Sequence, residues 1–285
     1  MYTRLPTRQS RLAEASRSVG MLSIPVLIVG VLFHRLGLID TTSLIFVLIA
    51  VTLFGAFGVL AALVAFIEIW NKGMRGGWSA VSGLVMAGLV LLPAGLAVAG
   101  AMRYPPLSDV VTNYADPPAI VISDRLVPAP EAKLEDAQLE AYPAIQPRIY
   151  PLSTADMHSL AILTVEELGW NLVLNEPADL ADEPTKFQAI AHTLIFGFAD
   201  DVSVRLRPYP GGARLDIRSR SRYGQYDLGA NARRILQFYS GLDAKVRKID
   251  ITYEESEDLP ILESTDEEIE REEDFIPIPL TRPTS

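Results

Sequence analysis

Two long uncharged stretches restrict the folds open to this chain more than any other feature. Residues 43–67 and 78–102 contain no charged side chain, and each exceeds the ~20 apolar residues that a helix needs to cross the hydrocarbon of a bilayer. A third apolar run, residues 19–33, reaches that length if Arg35 snorkels to the interface and the helix continues to Ile39. The sequence therefore predicts three transmembrane helices, at about 19–39, 43–69 and 78–102. A cleaved signal peptide is the less favoured interpretation of the first run, because no small-residue cleavage site follows it.

Basic residues flank these spans unequally. Four arginines precede the first span, and Lys72 and Arg75 occupy the loop between the second and third, whereas Arg35 is nearly alone in the loop between the first and second. Cytoplasmic loops carry the excess of Lys and Arg. The pattern predicts a cytoplasmic N-terminus, residues 1–18, with everything after Arg103 outside. In a Gram-negative bacterium this is a multi-pass inner-membrane protein whose C-terminal domain is periplasmic.

The spans are typical of an anchor rather than of a transport path. Apart from Arg35, Glu68 is the one charged residue within them, and it lies near the end of the second span, where an interfacial position costs little. The pairs Gly83/Ala87 and Gly95/Ala99 offer small-residue faces for close helix packing.

Charge and cysteine content exclude several classes of function. The net charge is +5 up to Tyr104, −5 over residues 105–252 and −10 over residues 253–285. Nucleic acid is not expected as a partner, because binding it normally requires a basic face. The chain has no cysteine, which rules out disulfides, thiol catalysis and thiolate metal sites.

The rest of the chain divides into three segments. Residues 103–154 are rich in proline and turn formers and predict a linker or strap. Residues 155–252 alternate as helix, four strands and helix, which predicts an α+β domain: an antiparallel sheet of about four strands with helices on one face, in the order αββββα. Residues 253–285 are acidic and proline-containing and predict disorder, with 275–280 as a short segment that could dock on a partner.

The last two strands place apolar and charged residues on opposite faces of the sheet. Val202, Val204 and Leu206 pair with Leu215 and Ile217 against the helices. The opposite, outward face carries a row of charged residues: Arg205, Arg207, Arg214, Asp216, Arg218, Arg220 and Arg222.

A candidate anion-binding site follows from the end of this row. Guanidinium forks bind carboxylate or phosphate, and a helix that begins near Gly229 would direct free backbone N–H groups at the same place. The candidate ligand-binding residues are Arg218, Arg220, Arg222, Asp227, Gly229, Asn231, Arg233 and Arg234. Secondary candidates are Asp200, Asp201, Arg205, Arg207 and Asp216.

A structural interpretation of the same residues stays open beside the functional one. Asp227 would cap the helix, Asn231 would brace the loop, and arginines would pair with Asp200, Asp201 and Asp216. Asp200 and Asp201 also resemble paired carboxylates, but neighbours on a strand point to opposite faces, so only one of them can serve a given site. No metal and no cofactor is predicted, because the three histidines lack ligand spacing and no P-loop, dinucleotide or nucleophile motif occurs.

Three segments resemble a known family. They are PPLSDVVTNYADPP at 105–118, GFADDVSVRLRP at 197–208 and DIRSRSRYGQYDLGANARRI at 216–235, and in this order they resemble the motifs of the bacterial domain of unknown function 1499. The resemblance covers about residues 104–250 and implies a domain that also occurs on membrane-anchored proteins, outside their spans. It implies no established enzymatic activity.

These observations favour binding over catalysis. The expected partners are the lipid bilayer itself and an anionic species: a lipid headgroup, an envelope polymer or a carboxylate of a membrane-protein partner. One alternative is an envelope hydrolase or transferase that uses Asp201 or Asp227. The other alternative is a structural subunit of a membrane complex.

Overall fold

The computed structural model of this chain describes residues 8–178, 180 and 183–257. Its first three helices are long and apolar enough to cross a membrane, which agrees with the predicted spans: α1, Arg11–Arg35; α2, Thr41–Lys72; α3, Gly77–Arg103. Helix α1 begins earlier than predicted because Ser10 caps it, accepting a hydrogen bond from Ala13 N. Helix α2 is capped by Asp40 and ends at Gly73, whose φ of 64° is the left-handed conformation that favours glycine.

Small residues bring the three helices together. The Ser16 hydroxyl of α1 donates a hydrogen bond of 2.7 Å to the Gly58 carbonyl of α2. A side chain at Gly83 of α3 would collide with Ser16 and the Arg17 backbone, so α1 and α3 cross at this glycine. The second small-residue face does not pack in this way, since a Cβ at Gly95 would meet nothing within 4 Å.

The two ends of the helix bundle differ. At one end Arg75 N donates to Arg8 O at 3.0 Å, and Ser10 N donates to Arg75 O at 2.9 Å. The N-terminal segment and the α2–α3 loop, both rich in basic residues, therefore share this end. The α1–α2 loop and the last turn of α3 lie at the opposite end.

The extramembrane domain contains a six-stranded antiparallel sheet. Its order is β1-β8-β7-β6-β5, and β4 also pairs with β8. A small separate hairpin is formed by β2 and β3. The elements after α3 are β1, Asp109–Val111; β2, Val121–Ile122; β3, Arg125–Leu126; a 3-10 turn, Ala132–Leu134; α4, Glu135–Ala141; β4, Arg148–Tyr150; α5, Thr154–Glu167; β5, Asn171–Glu176; β6, Thr185–His192; β7, Ala199–Tyr209; β8, Gly212–Ser221; and α6, Ala230–Glu257.

The predicted order αββββα is present as α5, β5 to β8 and α6. The inward residues of β7 and β8 are buried with α5 and α6, as the alternation predicts; they are Val202, Val204, Leu206, Leu215 and Ile217. Helix α6 runs to Glu257, beyond the predicted end of the domain at residue 252. The predicted acidic tail lies outside the described residues from 258 onward.

The other face of the sheet is covered, not open. The side-chain amide of Gln188 on β6 accepts from Val121 N and donates to Val121 O, both at 2.9 Å. Ile120 is fully buried. The segment predicted as a linker therefore contributes β1 and β4 to the sheet and a strap, residues 112–131, across the face that carries the arginines.

One end of the β7–β8 hairpin rests on the helix bundle. Asp200 at the start of β7 pairs with Ser221 at the end of β8, and Tyr209 pairs with Gly212 at the far end. The β6–β7 loop reaches the end of α1, where the ring of His34 bonds to Phe196 O at 2.8 Å. The loop after β8 reaches the end of α3, where a Cβ at Gly100 would lie 2.8 Å from Leu228 Cδ2. The sheet therefore stands with this end toward the helix bundle.

Candidate functional site

Arg218 is the most deeply buried of the predicted site residues. Its side chain is 1% exposed. Its Nε and Nη2 donate to the two carboxylate oxygens of Asp109 at 2.9 and 2.7 Å, and its remaining donors reach the carbonyls of Pro118 and Pro128 in the strap. The expectation of a solvated outward face is wrong at this position, because Asp109 of β1 and two carbonyls of the strap accept hydrogen bonds from the guanidinium group.

The neighbouring arginines on β8 differ in how firmly they are held. Arg222 donates through Nε and Nη2 to both oxygens of Asp201, at 2.8 and 2.7 Å, and this bond raises the pKa of Arg222. Arg220 is about one-third exposed, and its nearest carboxylate oxygen is Asp109 Oδ2 at 3.6 Å, which Arg218 already binds. Arg220 is therefore the weakly paired cation of this strand.

A buried polar network joins the first turn of α6 to the other side of the sheet. Arg234 Nη1 donates to Ser219 Oγ at 2.9 Å and to Asn231 Oδ1 at 2.6 Å, while its Nη2 donates to Asp200. Asn231 Nδ2 donates to Ser108 O and Ser221 Oγ. Burial raises the pKa of Asp200, and the charge of Arg234 opposes that rise. The network fixes α6 to β7 and β8, as in the structural interpretation.

The N-terminus of α6 is occupied by a side chain of the chain itself. Asp227 accepts from Gly229 N at 2.8 Å and from Asn231 N at 2.7 Å. Burial raises the pKa of Asp227, and these bonds to N–H groups oppose the rise. Gly229 has a φ of 74°, and a Cβ there would lie 3.1 Å from the side chains of Tyr104 and Tyr142. The free N–H groups expected for an anion are therefore satisfied by Asp227.

A second arginine cluster lies toward the far end of the sheet. The buried carboxylate of Asp216 accepts from Arg205, Arg207 and Arg214 at 3.2, 3.0 and 3.3 Å. Asp116 of the strap adds bonds to Arg205 and Arg207. The hydrogen bond from Arg207 holds the pKa of Asp116 below its usual value.

Asp109 and Asp116 are ion-pair partners of the arginines that the sequence reasoning missed. Both lie in the segment predicted as a linker, and each neutralises arginines that were expected to face solvent. The available signal was the presence of two aspartates within the PPLSDVVTNYADPP motif. Spacing along the chain could not show that this motif folds back over β8.

Two exposed cations lie at the end of α3 or beside it. Arg103 is the last residue of α3 and is exposed. The exposed guanidinium group of Arg233 lies 5.9 Å from the Tyr104 ring centroid and donates to Leu228 O at 3.0 Å. Among the residues that the structure describes, no carboxylate forms an ion pair with Arg103 or Arg233. Sequence reasoning included Arg233 but missed Arg103.

The cavity at the far end of the β7–β8 hairpin is lined by neither a carboxylate nor an arginine. This surface cavity of about 620 Å³ is lined by Pro151, Leu152, Ser153, Pro208, Tyr209, Pro210, Gly211 and Gly212. Asp201 is fully buried and Asp227 caps α6, so neither catalytic candidate reaches this cavity. Within residues 8–178, 180 and 183–257, no group of three or more His, Asp or Glu side chains could hold a metal ion.

Comparison with known proteins bears on the domain. Residues 109–242 match the family described as "Protein of unknown function (DUF1499)". No curated protein and no solved structure shows significant similarity to the chain. The match begins at the first residue of β1 and ends within α6, so it covers the sheet, the strap and the helices that pack on the sheet. The resemblance found in the sequence is confirmed: residues 109–242 of this chain are a domain of the DUF1499 family, carried behind three apolar helices long enough to span a membrane.

Proposed function

We propose that this chain is a membrane-anchored binding protein whose domain holds anionic lipid headgroups at the edge that faces the bilayer. The observation that carries the proposal is the position of Arg103 and Arg233 beside Tyr104, exposed and without an ion pair among the described residues, at the end of α3. An arginine near a membrane surface attracts anionic lipid.

The loop between β8 and α6 supplies side chains suited to the boundary between membrane and water. Tyr223 and Tyr226 lie between β8 and α6 and are both about half exposed. Tyrosine is enriched at the boundary between membrane and water, because its ring is apolar and its hydroxyl polar. Leu228 of this loop contacts α3 at Gly100, which supports a location close to the membrane for the whole loop.

The internal arginines are assigned a different role. Arg218, Arg222 and Arg234 are bound by Asp109, Asp201 and Asp200, and a ligand would have to displace these carboxylates from buried positions. Of the residues in the predicted anion pocket, Arg233 is the one carried into this proposal.

The proposed orientation is a cytoplasmic N-terminus with the domain on the outer side of a bacterial inner membrane. It is supported by the clustering of Arg8, Arg75 and Lys72 at the bundle end opposite the domain. The headgroup would then belong to the outer leaflet.

Lipid affinity of the full chain tests the function. Native mass spectrometry in mild detergent would compare phosphatidylglycerol with phosphatidylcholine, for the wild type and for the double variant Arg103→Gln/Arg233→Gln. We expect the double variant to bind phosphatidylglycerol roughly 25-fold more weakly, at about 1 kcal/mol per arginine.

The matched control is Lys186→Gln, which removes an exposed cation from the far end of the sheet. Its affinity should equal that of the wild type. Equal affinity of all three proteins, or equal binding of both lipids by the wild type, would refute the proposal. Soluble glycerol phosphate, added as a competitor, shows whether the headgroup alone is recognised.

A second candidate function is assembly with another protein through β5. This strand is at the edge of the sheet, and all six of its residues are exposed, including Leu172, Val173 and Leu174. An apolar edge strand is a template for strand pairing. Substitution Val173→Lys should release such a partner in cross-linking of intact membranes, whereas an unchanged cross-link pattern would refute this role.

A further inference from the structure

We propose that the β6–β7 loop, residues 193–198, is a membrane-inserting tip of the domain, which lies at the boundary between headgroups and acyl chains. The proposal goes beyond the binding of anionic headgroups, because insertion of an apolar loop requires no lipid charge. Its occupant is the bilayer that α1, α2 and α3 cross.

The tip exposes two adjacent large apolar side chains. Leu194 is 88% exposed and Ile195 is 67% exposed. Single exposed apolar residues are common on protein surfaces, whereas a contiguous apolar patch marks an interaction site. The six residues of the loop, TLIFGF, contain no charge.

The loop is held against the end of a span. The Arg35 guanidinium group of α1 donates to the carbonyl oxygens of Leu194 and Ile195. The ring of His34 bonds to Phe196 O at 2.8 Å and to Thr41 Oγ1, at the start of α2, at 3.0 Å. These contacts hold the tip beside the end of α1 and the start of α2.

The exposed apolar residues of the tip lie at the same end of the helix bundle as those of the α1–α2 loop. Leu36 and Leu38, in the α1–α2 loop directly after Arg35, are also exposed. Such side chains at the end of a span are expected to contact lipid. This continuity with the spans argues for the bilayer as the occupant, over a soluble partner.

Most backbone polar groups of the tip are hydrogen-bonded within the protein, which suits a position with little water. Thr193 N donates to Phe198 O at 2.9 Å, Gly197 N donates to Thr193 O at 3.0 Å, and Phe198 N donates to Thr193 Oγ1 at 2.9 Å. Irregular backbone is not found exposed to the hydrocarbon core. A loop with most of its carbonyls satisfied in this way suits the interface, with its side chains pointing toward the acyl chains.

The absence of cysteine from the chain allows a clean labelling test. The full-length variant Leu194→Cys would carry an environment-sensitive fluorophore in liposomes of phosphatidylcholine alone. The matched control is Tyr209→Cys, since Tyr209 is also exposed but lies at the opposite end of β7. Quenching by a lipid-attached nitroxide would be compared with quenching by aqueous iodide.

We expect the label at position 194 to emit at a shorter wavelength than the label at position 209, to be quenched by the nitroxide and to resist quenching by iodide. The label at position 209 should be quenched by iodide alone. A fluorophore could insert by its own hydrophobicity, so the unlabelled cysteine variants are also reacted with a charged maleimide. For each variant, the reaction rate in liposomes is divided by the rate of the unfolded chain in urea without detergent. We expect this ratio to be lower for Leu194→Cys than for Tyr209→Cys.

Two results would overturn the proposal. Labels at 194 and 209 that are equally sensitive to iodide would place the tip in water. A label at 194 that resists both quenchers would show that protein, not lipid, covers it. Neither result depends on anionic lipid, so this test can fail while the headgroup proposal stands.

Discussion

Arg218 shows at the scale of one residue what alternation along a strand can and cannot predict. The pattern of β8 placed Arg218 on the face opposite Ile217, and the structure agrees. It did not predict that Asp109, more than a hundred residues away along the chain, would accept hydrogen bonds from the Nε and Nη2 of Arg218. Local periodicity fixes the face on which a side chain lies, whereas the identity of its partner depends on a long-range contact.

Substitution of Arg218 should therefore affect stability before binding. Arg218→Ala leaves the carboxylate of Asp109 without its bidentate partner, and we expect the free energy of unfolding to fall by about 3–5 kcal/mol, as for other broken buried pairs. Arg220→Ala, two residues away on the same face, removes one looser ion pair and should lower the free energy of unfolding by at most about 1 kcal/mol. Denaturant unfolding in detergent measures both. A fully stable Arg218→Ala variant with weakened lipid binding would restore the anion-pocket interpretation.

His158 gives the domain a dependence on pH. Its ring lies between Thr185 Oγ1 at 2.9 Å and Asn175 Oδ1 at 2.7 Å, and burial lowers its pKa below 6.5. The unfolded chain then binds a proton more readily than the folded one, so this histidine contributes stability above about pH 6.5 that is lost as the pH falls toward its lowered pKa.

We expect the thermal midpoint to fall between about pH 7 and pH 5, and the fall to be smaller in His158→Gln. The exposed His192 provides the control, since His192→Gln should keep the slope of the wild type. Identical slopes in wild type and His158→Gln would show that other groups carry the pH dependence.

At the scale of elements, the strands and helices of the domain were predictable, and the strap was not. The alternation of apolar and charged residues along the last two predicted strands indicated β7 and β8. The prolines of residues 103–131 correctly exclude long helices, but they are compatible with a strap that packs on the sheet. Its attachment depends on side-chain amides such as Gln188, which pairs with the Val121 backbone like an added strand residue.

Helix packing in the bundle gives a matched pair of glycines on α3. A methyl group at Gly83 would collide with Ser16 and the Arg17 backbone of α1, whereas one at Gly88 would meet nothing within 4 Å. We expect Gly83→Ala to lower the free energy of unfolding by about 1–3 kcal/mol through overpacking. Gly88→Ala should be neutral or slightly stabilising, because alanine favours helix. Thermal unfolding in detergent distinguishes the two, and equal midpoints would contradict this packing of α1 on α3.

At the scale of the whole molecule, the chain places one end of its sheet on one end of its helix bundle. Two separate loops make this contact: the β6–β7 loop through His34 and Arg35, and the β8–α6 loop through Leu228 and Gly100. The sequence predicted both the spans and the domain, because each has its own periodicity. It could not predict their docking, which depends on a few loop residues without any repeat. This docking places Arg233 beside Tyr104, the residue that follows Arg103 at the end of α3.

Hydrogen exchange of the full chain in nanodiscs tests this arrangement most directly. Discs of phosphatidylcholine would be compared with discs that contain phosphatidylglycerol, and backbone amides would be followed by mass spectrometry. We expect phosphatidylglycerol to slow exchange in residues 222–229, the loop beside Arg103 and Arg233, and to leave residues 205–216 at the far end unchanged. Equal exchange in both discs, or protection confined to residues 205–216, would contradict the account.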